Sequence, residues 1–352
     1  MTEFENITPD GQEPVNQPEY TATPQTDNDE ITFGTRLNLT SLTAGIEAIK
    51  REISSVIVGQ HQMIDQLIVA LLSNGHVLIE GVPGVAKTIT AKLLSKTLSL
   101  DFSRIQFTPD LMPSDILGTS VFSLSNSEFT FKKGPVFSNF VLIDEINRAP
   151  AKTQAALFEV MEERQITIEG NSHILEAPFL VIATQNPIEQ EGTYRLPEAQ
   201  LDRFLFKITL GYPNLRDEIA ILERENALKD HGKLDAIKTV ITREDLIKYQ
   251  GLVKQIMIEP QLIEYIAKIV NNTRENAFLY LGASPRASIA ILNASKGFAA
   301  INGRDFVTPE DIKNAATPVL RHRVVVAPER EMEGLTGEQI IKQIIDTVEI
   351  PR

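Results

Sequence analysis

The chain has 352 residues and a formal net charge of −13 at pH 7, and this length predicts two domains of about 150 residues each. It contains no cysteine, which excludes disulfides, thiolate metal sites and cysteine nucleophiles. No apolar run approaches the ~18 residues of a membrane span, and the N-terminus lacks the basic start and apolar core of a signal peptide. We therefore expect a cytoplasmic protein without a transmembrane segment, and its acidic balance argues against non-specific DNA binding.

The negative charge is concentrated at the N-terminus. The first thirty residues contain eight Asp or Glu and no Lys or Arg, so they carry −8 of the −13 and leave −5 for the other 322 residues. This segment is rich in Pro, Gln, Asn and Thr, and it has too few apolar side chains to offset its ordering entropy. We expect residues 1–38 to form a disordered acidic tail, either a solvated extension or a docking segment.

Strand and helix patterns alternate over residues 39–213. Helices are predicted at Ser41–Val56, Gln60–Ser73 and Lys87–Thr97, and strands at His76–Glu80, Phe102–Phe107, Phe140–Asp144, Phe179–Thr184 and Leu205–Leu210. Two of these strands, at residues 77–79 and 140–143, are continuous apolar runs typical of buried parallel strands. The alternation predicts an α/β domain with a mostly parallel sheet flanked by helices.

Strand signals end near Pro213, and residues 214–352 are expected to form an all-helical domain. The predicted helices are Asn214–Leu228, Arg243–Ile256, Pro260–Asn272, Pro285–Asn302 and Pro309–His322. Within the α/β domain, polar and apolar residues alternate over Thr119–Pro135 and Gln165–Glu176, which predicts two β-hairpins. The turn of the second hairpin is expected at residues 170–172.

A glycine-rich segment joins the first buried strand to the following helix. It consists of Gly81, Val82, Pro83, Gly84, Val85, Ala86, Lys87 and Thr88. This is nearly the phosphate-loop pattern in its strand–loop–helix setting, in which backbone N–H groups and the helix N-terminus surround an anion. Lys87 would neutralise the β- and γ-phosphates of a nucleotide, and Thr88 would bind Mg²⁺. Ala86 replaces the usual glycine, at a cost of about 1 kcal/mol if the position requires positive φ.

Polar residues lie at the carboxyl ends of two further predicted strands. Asp144 and Glu145 follow a buried apolar strand, and acids at such strand ends face the crevice in which open α/β sheets bind nucleotides. Asp144 suits the coordination sphere of Mg²⁺, and Glu145 could polarise a water toward the γ-phosphate. Asn186 follows the next strand and could orient that water or detect the γ-phosphate.

These motifs together resemble the AAA+ ATPases, and more narrowly the MoxR family. The similarity extends from about residue 40 to about residue 330. The resemblance to AAA+ ATPases rests on residues 81–88, 142–145, 184–187 and 201–204 in this order, and the resemblance to the MoxR family on residues 81–88, 144–150 and 196–204. The resemblance implies an AAA+ phosphate-loop core with a helical lid, ATP and Mg²⁺ as cofactors, and ATP hydrolysis in a ring homo-oligomer, expected to be a hexamer.

The resemblance also implies roles for residues outside the phosphate loop. Arg203 matches the arginine finger, which reaches the γ-phosphate bound by the neighbouring subunit. Arg286 matches the second sensor arginine, which the lid is expected to carry into the chain's own site. Gly59 and Gln60 match the segment near the adenine. Two further charged residues, Arg148 and Glu163, are candidates for the subunit interface but resemble ordinary surface charge.

Three functional hypotheses remain open at this point. The leading one is a chaperone-like ATPase that remodels protein partners, for which the resemblance implies proteins with von Willebrand factor A domains. The second is a nucleic-acid remodeller with the same core, which the lack of a basic stripe disfavours. The third is an ATP-switched scaffold with little turnover, which the presence of both Glu145 and Arg203 disfavours. A GTPase is not expected, because the guanine-reading motif Asn-Lys-x-Asp is absent.

Overall fold

The structure, a computed structural model, describes residues 36–351 apart from 125–126, 169, 188–192, 195 and 228–236. The described residues from Leu37 onward form one compact unit. The predicted acidic tail lies outside the described residues except for its last three positions. The division between two domains at Pro213 stays a prediction. Within the described ranges, no helix is long and apolar enough to cross a membrane.

Eleven strands are assigned in the described residues. They are β1 (His76–Gly81), β2 (Phe102–Gln106), β3 (Gly118–Ser123), β4 (Glu128–Lys133), β5 (Phe140–Asp144), β6 (Gln165–Ile168), β7 (Asn171–Ile174), β8 (Leu180–Gln185), β9 (Phe204–Leu210), β10 (Leu279–Leu281) and β11 (Val325–Val326). Five of them form the central sheet in the order β2-β5-β8-β1-β9. Every pairing in this sheet is parallel, which confirms the predicted sheet.

Thirteen α-helices are assigned in the same ranges. They are α1 (Thr40–Ser54), α2 (His61–Leu72), α3 (Lys87–Thr97), α4 (Pro113–Leu117), α5 (Ala151–Glu163), α6 (Glu198–Leu201), α7 (Leu215–Ala227), α8 (Arg243–Gln255), α9 (Pro260–Glu275), α10 (Pro285–Ile301), α11 (Pro309–Leu320), α12 (Pro328–Met332) and α13 (Gly337–Thr347). The eight helices predicted from the sequence are all present, with ends shifted by a few residues. The sequence analysis missed α5 and α13 among the longer helices.

Both faces of the inner strands of the central sheet, β1, β5 and β8, are buried. Every residue of β5 is buried, and alternate side chains of this strand enter two different hydrophobic clusters. Phe140 and Leu142 join the cluster formed with the helices around α1, α2 and α10, whereas Val141 and Ile143 join the cluster formed with α5. This alternation follows from the period of two in a strand, and it explains why these strands are continuously apolar.

The C-terminal helices pack directly on the N-terminal ones. Gln250 of α8 donates a hydrogen bond to the Leu71 carbonyl at 2.8 Å. The α10 backbone approaches α2 so closely at Gly297 that a Cβ there would lie 2.8 Å from a Val69 methyl carbon. A short antiparallel ribbon, β10 with β11, adds to the otherwise helical segment and was not predicted.

Two β-hairpins project from the α/β part, as predicted. The first pairs β3 with β4, and the second pairs β6 with β7. Ile168 pairs with Asn171 and Thr167 with Ser172, so residues 171 and 172, which were predicted to lie in the turn, belong to β7. The hairpins contact each other where the rings of Phe131 and His173 stack at 4.4 Å.

A buried histidine fixes the amino end of β1. His76 Nδ1 accepts a hydrogen bond from the Val181 amide at 3.0 Å, and Nε2 lies 3.1 Å from the Met161 carbonyl, to which it donates. The side chain thereby ties β1 to β8 and to the end of α5. Burial, assisted by the charge of Arg164, lowers the pKa of His76 from 6.5 to about 3, so the ring is neutral at physiological pH.

Acidification should therefore destabilise the fold before most carboxylates titrate. Below about pH 6.5 the unfolded chain protonates His76 but the native chain does not, so stability falls by up to ~1.4 kcal/mol per pH unit for this group. Burial also lowers the pKa of His322, which adds a second contribution. Chemical denaturation between pH 7 and 5 should show a shallower loss for His76→Gln than for the wild type. An unchanged slope in His76→Gln would contradict this assignment.

Candidate functional site

The glycine-rich loop of residues 81–88 lies between the carboxyl end of β1 and the first turn of α3. A Cβ at Gly81 would lie 2.9 Å from the Leu210 carbonyl, so this position requires glycine. Gly84 adopts a φ of 84°, in the left-handed region that glycine tolerates. The Lys87 ammonium group donates hydrogen bonds to the carbonyls of Gly81 and Gln185, the second at 3.2 Å. The loop therefore curves around a space that Lys87 faces.

Ala86 adopts the conformation that makes its replacement of glycine costly. Its φ is 62° and its ψ is 19°, at the N-cap of α3. The left-handed region costs a non-glycine residue roughly 1 kcal/mol, which the loop sustains at a position where α3 must begin immediately. Ala86 thus adopts a conformation that glycine would reach without steric cost.

Asp144, at the carboxyl end of β5, lies directly opposite this loop. The Thr88 hydroxyl donates to Asp144 Oδ1 at 2.8 Å, and the Thr184 hydroxyl lies 3.2 Å from the same oxygen. Arg104 Nε donates to Oδ2 at 2.7 Å. Parallel pairing of β2, β5 and β8 brings these side chains together, because the carboxyl ends of parallel strands meet at one edge of the sheet.

Glu145 is held in the same pocket by a strained backbone and by two side chains. Its φ of 58° is left-handed, a conformation that non-glycine residues adopt mainly at functional sites. Its amide donates to the Thr184 hydroxyl at 3.1 Å. Its carboxylate accepts a hydrogen bond from Gln106 at 2.7 Å and pairs with Arg148 at 3.0 Å. Arg148 thus lies beside Glu145, whereas Glu163 is exposed at the end of α5.

The side chains predicted to bind phosphate and metal line one pocket of about 240 Å³. It includes Lys87, Thr88, Asp144 and Glu145, and Asn186 joins them from the end of β8. Asn186 is buried. Sequence reasoning missed Arg104, Gln106 and Thr184, which line the pocket from β2 and β8. Each of them is a polar residue towards the end of a strand that neighbours β5. This pattern indicates a site residue only once the strand order is known.

The segment predicted to lie near the adenine borders a second pocket at the same edge of the sheet. Gly59 and Gln60 line this pocket together with Leu210 and Arg321. Gly59 has a φ of 75°, and a Cβ there would clash with the Asp217 carboxylate. Gly81 contacts Leu210, so the second pocket adjoins the start of the phosphate loop.

Arg203 and Arg286 lie together in a third pocket, away from the phosphate loop. Glu162 of α5 pairs with both guanidinium groups, at 2.7 Å from Arg203 and 2.8 Å from Arg286. Arg203 also donates to the Phe158 carbonyl at 2.7 Å. Arg203, Arg286 and Glu162 line one pocket of about 320 Å³ together with His76 at the amino end of β1.

The two arginines are at the opposite end of the sheet from Lys87. Arg203 immediately precedes β9, whose first residue, Phe204, pairs with His76 at the start of β1. From His76 to the phosphate loop at Gly81 the strand spans about 16 Å. The expectation that Arg286 enters the chain's own nucleotide site is therefore corrected, because its partner Glu162 holds it at the amino end of the sheet.

The pocket beside the phosphate loop is suited to a cation that takes most of its ligands from groups outside the protein. Thr88 and Asp144 present two oxygens 2.8 Å apart. The described ranges contain no cluster of three or more His, Asp or Glu able to hold a metal. Mg²⁺ in phosphate-transfer sites is bound by one or two protein groups plus phosphates and waters, so this donor set fits Mg²⁺ held together with a nucleotide.

Comparisons with known proteins agree with this geometry. A family model described as the ATPase family associated with various cellular activities (AAA) matches residues 76–206, and an AAA lid domain model matches residues 271–344. Chaperone MoxR1 of Mycobacterium tuberculosis is 42% identical over 323 residues, which are 88% of this chain and 84% of that protein. The chain belongs to the MoxR family of AAA+ ATPases.

Two further relatives support membership of the MoxR family. The uncharacterized protein YeaC of Bacillus subtilis is 45% identical over 299 residues, which are 85% of this chain and 92% of that protein. A crystal structure of a protein from Cytophaga hutchinsonii, assigned as an ATPase, superimposes with a TM-score of 0.81 at 43% identity. The superposition covers 89% of this chain and 97% of that one. The AAA+ core and lid of the MoxR family are thus present.

Proposed function

We propose that this chain hydrolyses ATP to ADP and phosphate with Mg²⁺, at sites completed between adjacent subunits of a ring, and uses the energy to remodel protein partners. The observation that carries the proposal is the separation of the site into two halves. The phosphate loop with Asp144 and Glu145 lies at one end of the sheet, and two arginines lie at the other. The family membership supports the ATPase activity, and a hexamer is the ring size that the resemblance implies.

The carboxyl end of the sheet supplies the chain's own half of the site. Backbone N–H groups of the loop and the Lys87 ammonium would bind the β- and γ-phosphates. Thr88 and Asp144 would hold Mg²⁺, which neutralises the charge of those phosphates when bound. Glu145 would accept a proton from the attacking water, while Asn186 would orient that water.

The amino end of the sheet supplies the half-site for a neighbouring subunit. Arg203 and Arg286 share a single carboxylate, Glu162, so this group of three has an excess positive charge. About 16 Å of strand separates the cluster from the chain's own phosphate loop. A γ-phosphate bound by a second copy of the chain would therefore meet both arginines, and a cation at that position stabilises transition-state charge.

The surface of the hairpin formed by β3 and β4 supports the proposal that the partner is a protein. It exposes a group of large apolar side chains: Val121, Phe122, Leu124 and Phe129 are 47%, 47%, 88% and 70% exposed. Exposed apolar groups of this kind mark protein contacts more often than nucleic-acid contacts. Proteins with von Willebrand factor A domains are the partner class that the resemblance implies.

Replacing Glu145 with Gln tests the hydrolytic role. The amide keeps the size and the hydrogen bond to Gln106 but cannot accept a proton, so turnover should fall by about 10²- to 10⁴-fold. Affinity for ATP should stay within about twofold, because the phosphate-binding groups are unchanged. The measurement is steady-state phosphate release beside equilibrium binding of ATP. Wild-type turnover in Glu145→Gln would remove Glu145 from the mechanism.

Mixing two inactive variants tests whether Arg203 acts between subunits. Arg203→Ala chains keep their own phosphate loop, and Glu145→Gln chains keep their arginines. A mixed ring should therefore hydrolyse ATP where an Arg203→Ala pocket meets a Glu145→Gln neighbour. Phosphate release should rise on mixing, although each variant alone is inactive. If no mixing ratio restores turnover while both variants assemble, Arg203 does not act in trans.

A further inference from the structure

A buried lid arginine holds the turn that carries Arg203. Arg323 follows α11, within the range of the lid match, and its side chain is only 4% exposed. Its Nε donates to the Asp202 carboxylate at 2.6 Å. Its Nη2 donates to the carbonyls of Asp202 at 2.9 Å and Phe204 at 2.7 Å. One guanidinium group thus binds the residue before Arg203 and the residue after it.

The same guanidinium group is also fixed to the lid. It donates to the Val319 carbonyl in the last turn of α11 at 2.6 Å, and to the Leu205 carbonyl of β9 at 3.2 Å. Burial lowers the pKa of Arg323, and the Asp202 carboxylate opposes that shift. A planar guanidinium with several donors in fixed directions suits such a set of acceptors, and a lysine cannot reproduce it.

We propose that Arg323 is the positioning residue for the arginine finger, fixing the direction in which Arg203 leaves the subunit. The proposal rests on the proposed function, in which Arg203 acts on a neighbour's nucleotide. Arg323 lines the pocket of Arg203 and Arg286, but its side chain is almost fully buried and its nitrogens are bonded to Asp202 and to backbone carbonyls, so it would not contact a neighbour's nucleotide itself. Its effect passes through Asp202 and through the backbone on either side of Arg203.

The turn that contains Arg323 also reaches the chain's own nucleotide pocket. Arg321, two residues earlier, donates to the Thr209 hydroxyl at 2.7 Å and pairs with Glu338 at 3.2 Å. Arg321 lines the pocket of Gly59 and Gln60. Arg321 therefore contacts the carboxyl end of β9, and Arg323 contacts its amino end. A lid movement at one subunit's nucleotide would thus change the finger that the same subunit presents to its neighbour.

The alternative explanation is that Arg323 only stabilises the packing of the lid. The two roles predict different results when subunits are mixed. A chain that lacks only the positioned finger keeps its own nucleotide pocket, so a neighbour with an intact finger restores its turnover. A chain with a generally damaged lid loses nucleotide affinity, and no neighbour can restore it.

The test uses Arg323→Gln in the full chain. Turnover should fall by about 10- to 100-fold, as expected for a displaced catalytic group, while the Kd for ATP stays within about twofold. Mixing with Glu145→Gln should restore phosphate release, whereas mixing with Arg203→Ala should not, because both partners then lack the finger. Adding Arg323→Gln to Arg203→Ala should cause no further loss. Asp202→Asn, which keeps the shape of the partner side chain, should reproduce the mixing pattern if Arg323→Gln does not fold.

The matched control is Arg330→Gln, which removes another lid arginine from an ion pair, with Glu333, and should leave turnover unchanged. Wild-type turnover in both Arg323→Gln and Asp202→Asn would overturn the proposal. The proposal would also be overturned if mixing with Glu145→Gln restores the turnover of Arg203→Ala but not that of Arg323→Gln or Asp202→Asn. If Arg203→Ala itself is not restored, the trans arrangement fails, and the proposed function and this inference fall together.

Discussion

The direction of the central parallel sheet is the constraint on which the rest of the molecule depends. Because all five strands run the same way, their carboxyl ends collect the phosphate loop, Asp144 and Asn186 at one edge. Their amino ends collect Arg203 and the end of α5 at the other. The buried hydrogen bonds of His76 to Val181 and Met161 fix this second edge. No side-chain rotation brings Arg203 across about 16 Å of packed strand, so the fold keeps Arg203 away from the phosphate loop of its own chain.

Charged groups in both halves are already paired within the chain. Asp144 binds Arg104, Glu145 binds Arg148, and Glu162 binds both Arg203 and Arg286. Most of these side chains are about one-third exposed or more, and such pairs contribute about 1 kcal/mol or less. Exchanging them for phosphate or Mg²⁺ therefore costs little. These pairs therefore hold the charged side chains in place without preventing phosphate or Mg²⁺ from displacing them.

Much of the core could be predicted from the sequence, because the relevant signals are local. The apolar run at residues 140–143 predicts a strand that is buried on both faces of a sheet. A glycine-rich loop that follows a buried strand of this kind is typical of phosphate binding. The sequence alone could not predict whether Ala86 adopts a left-handed φ. The hydrogen bond from Gln106 to Glu145 could not be predicted from the sequence, because it depends on the strand order. Arg286 was misplaced because the lid's position depends on the packing of α10 against α2, through contacts such as that of Gly297 with Val69.

We propose that one chain alone cannot complete its own catalytic site. The most direct test measures ATP turnover per chain across a range of protein concentrations, with the assembly state followed by sedimentation velocity in the same buffer. Turnover per chain should vanish where the chain is monomeric and rise in step with the assembled fraction. A monomer that hydrolyses ATP at the same rate per chain as the assembly would contradict the account.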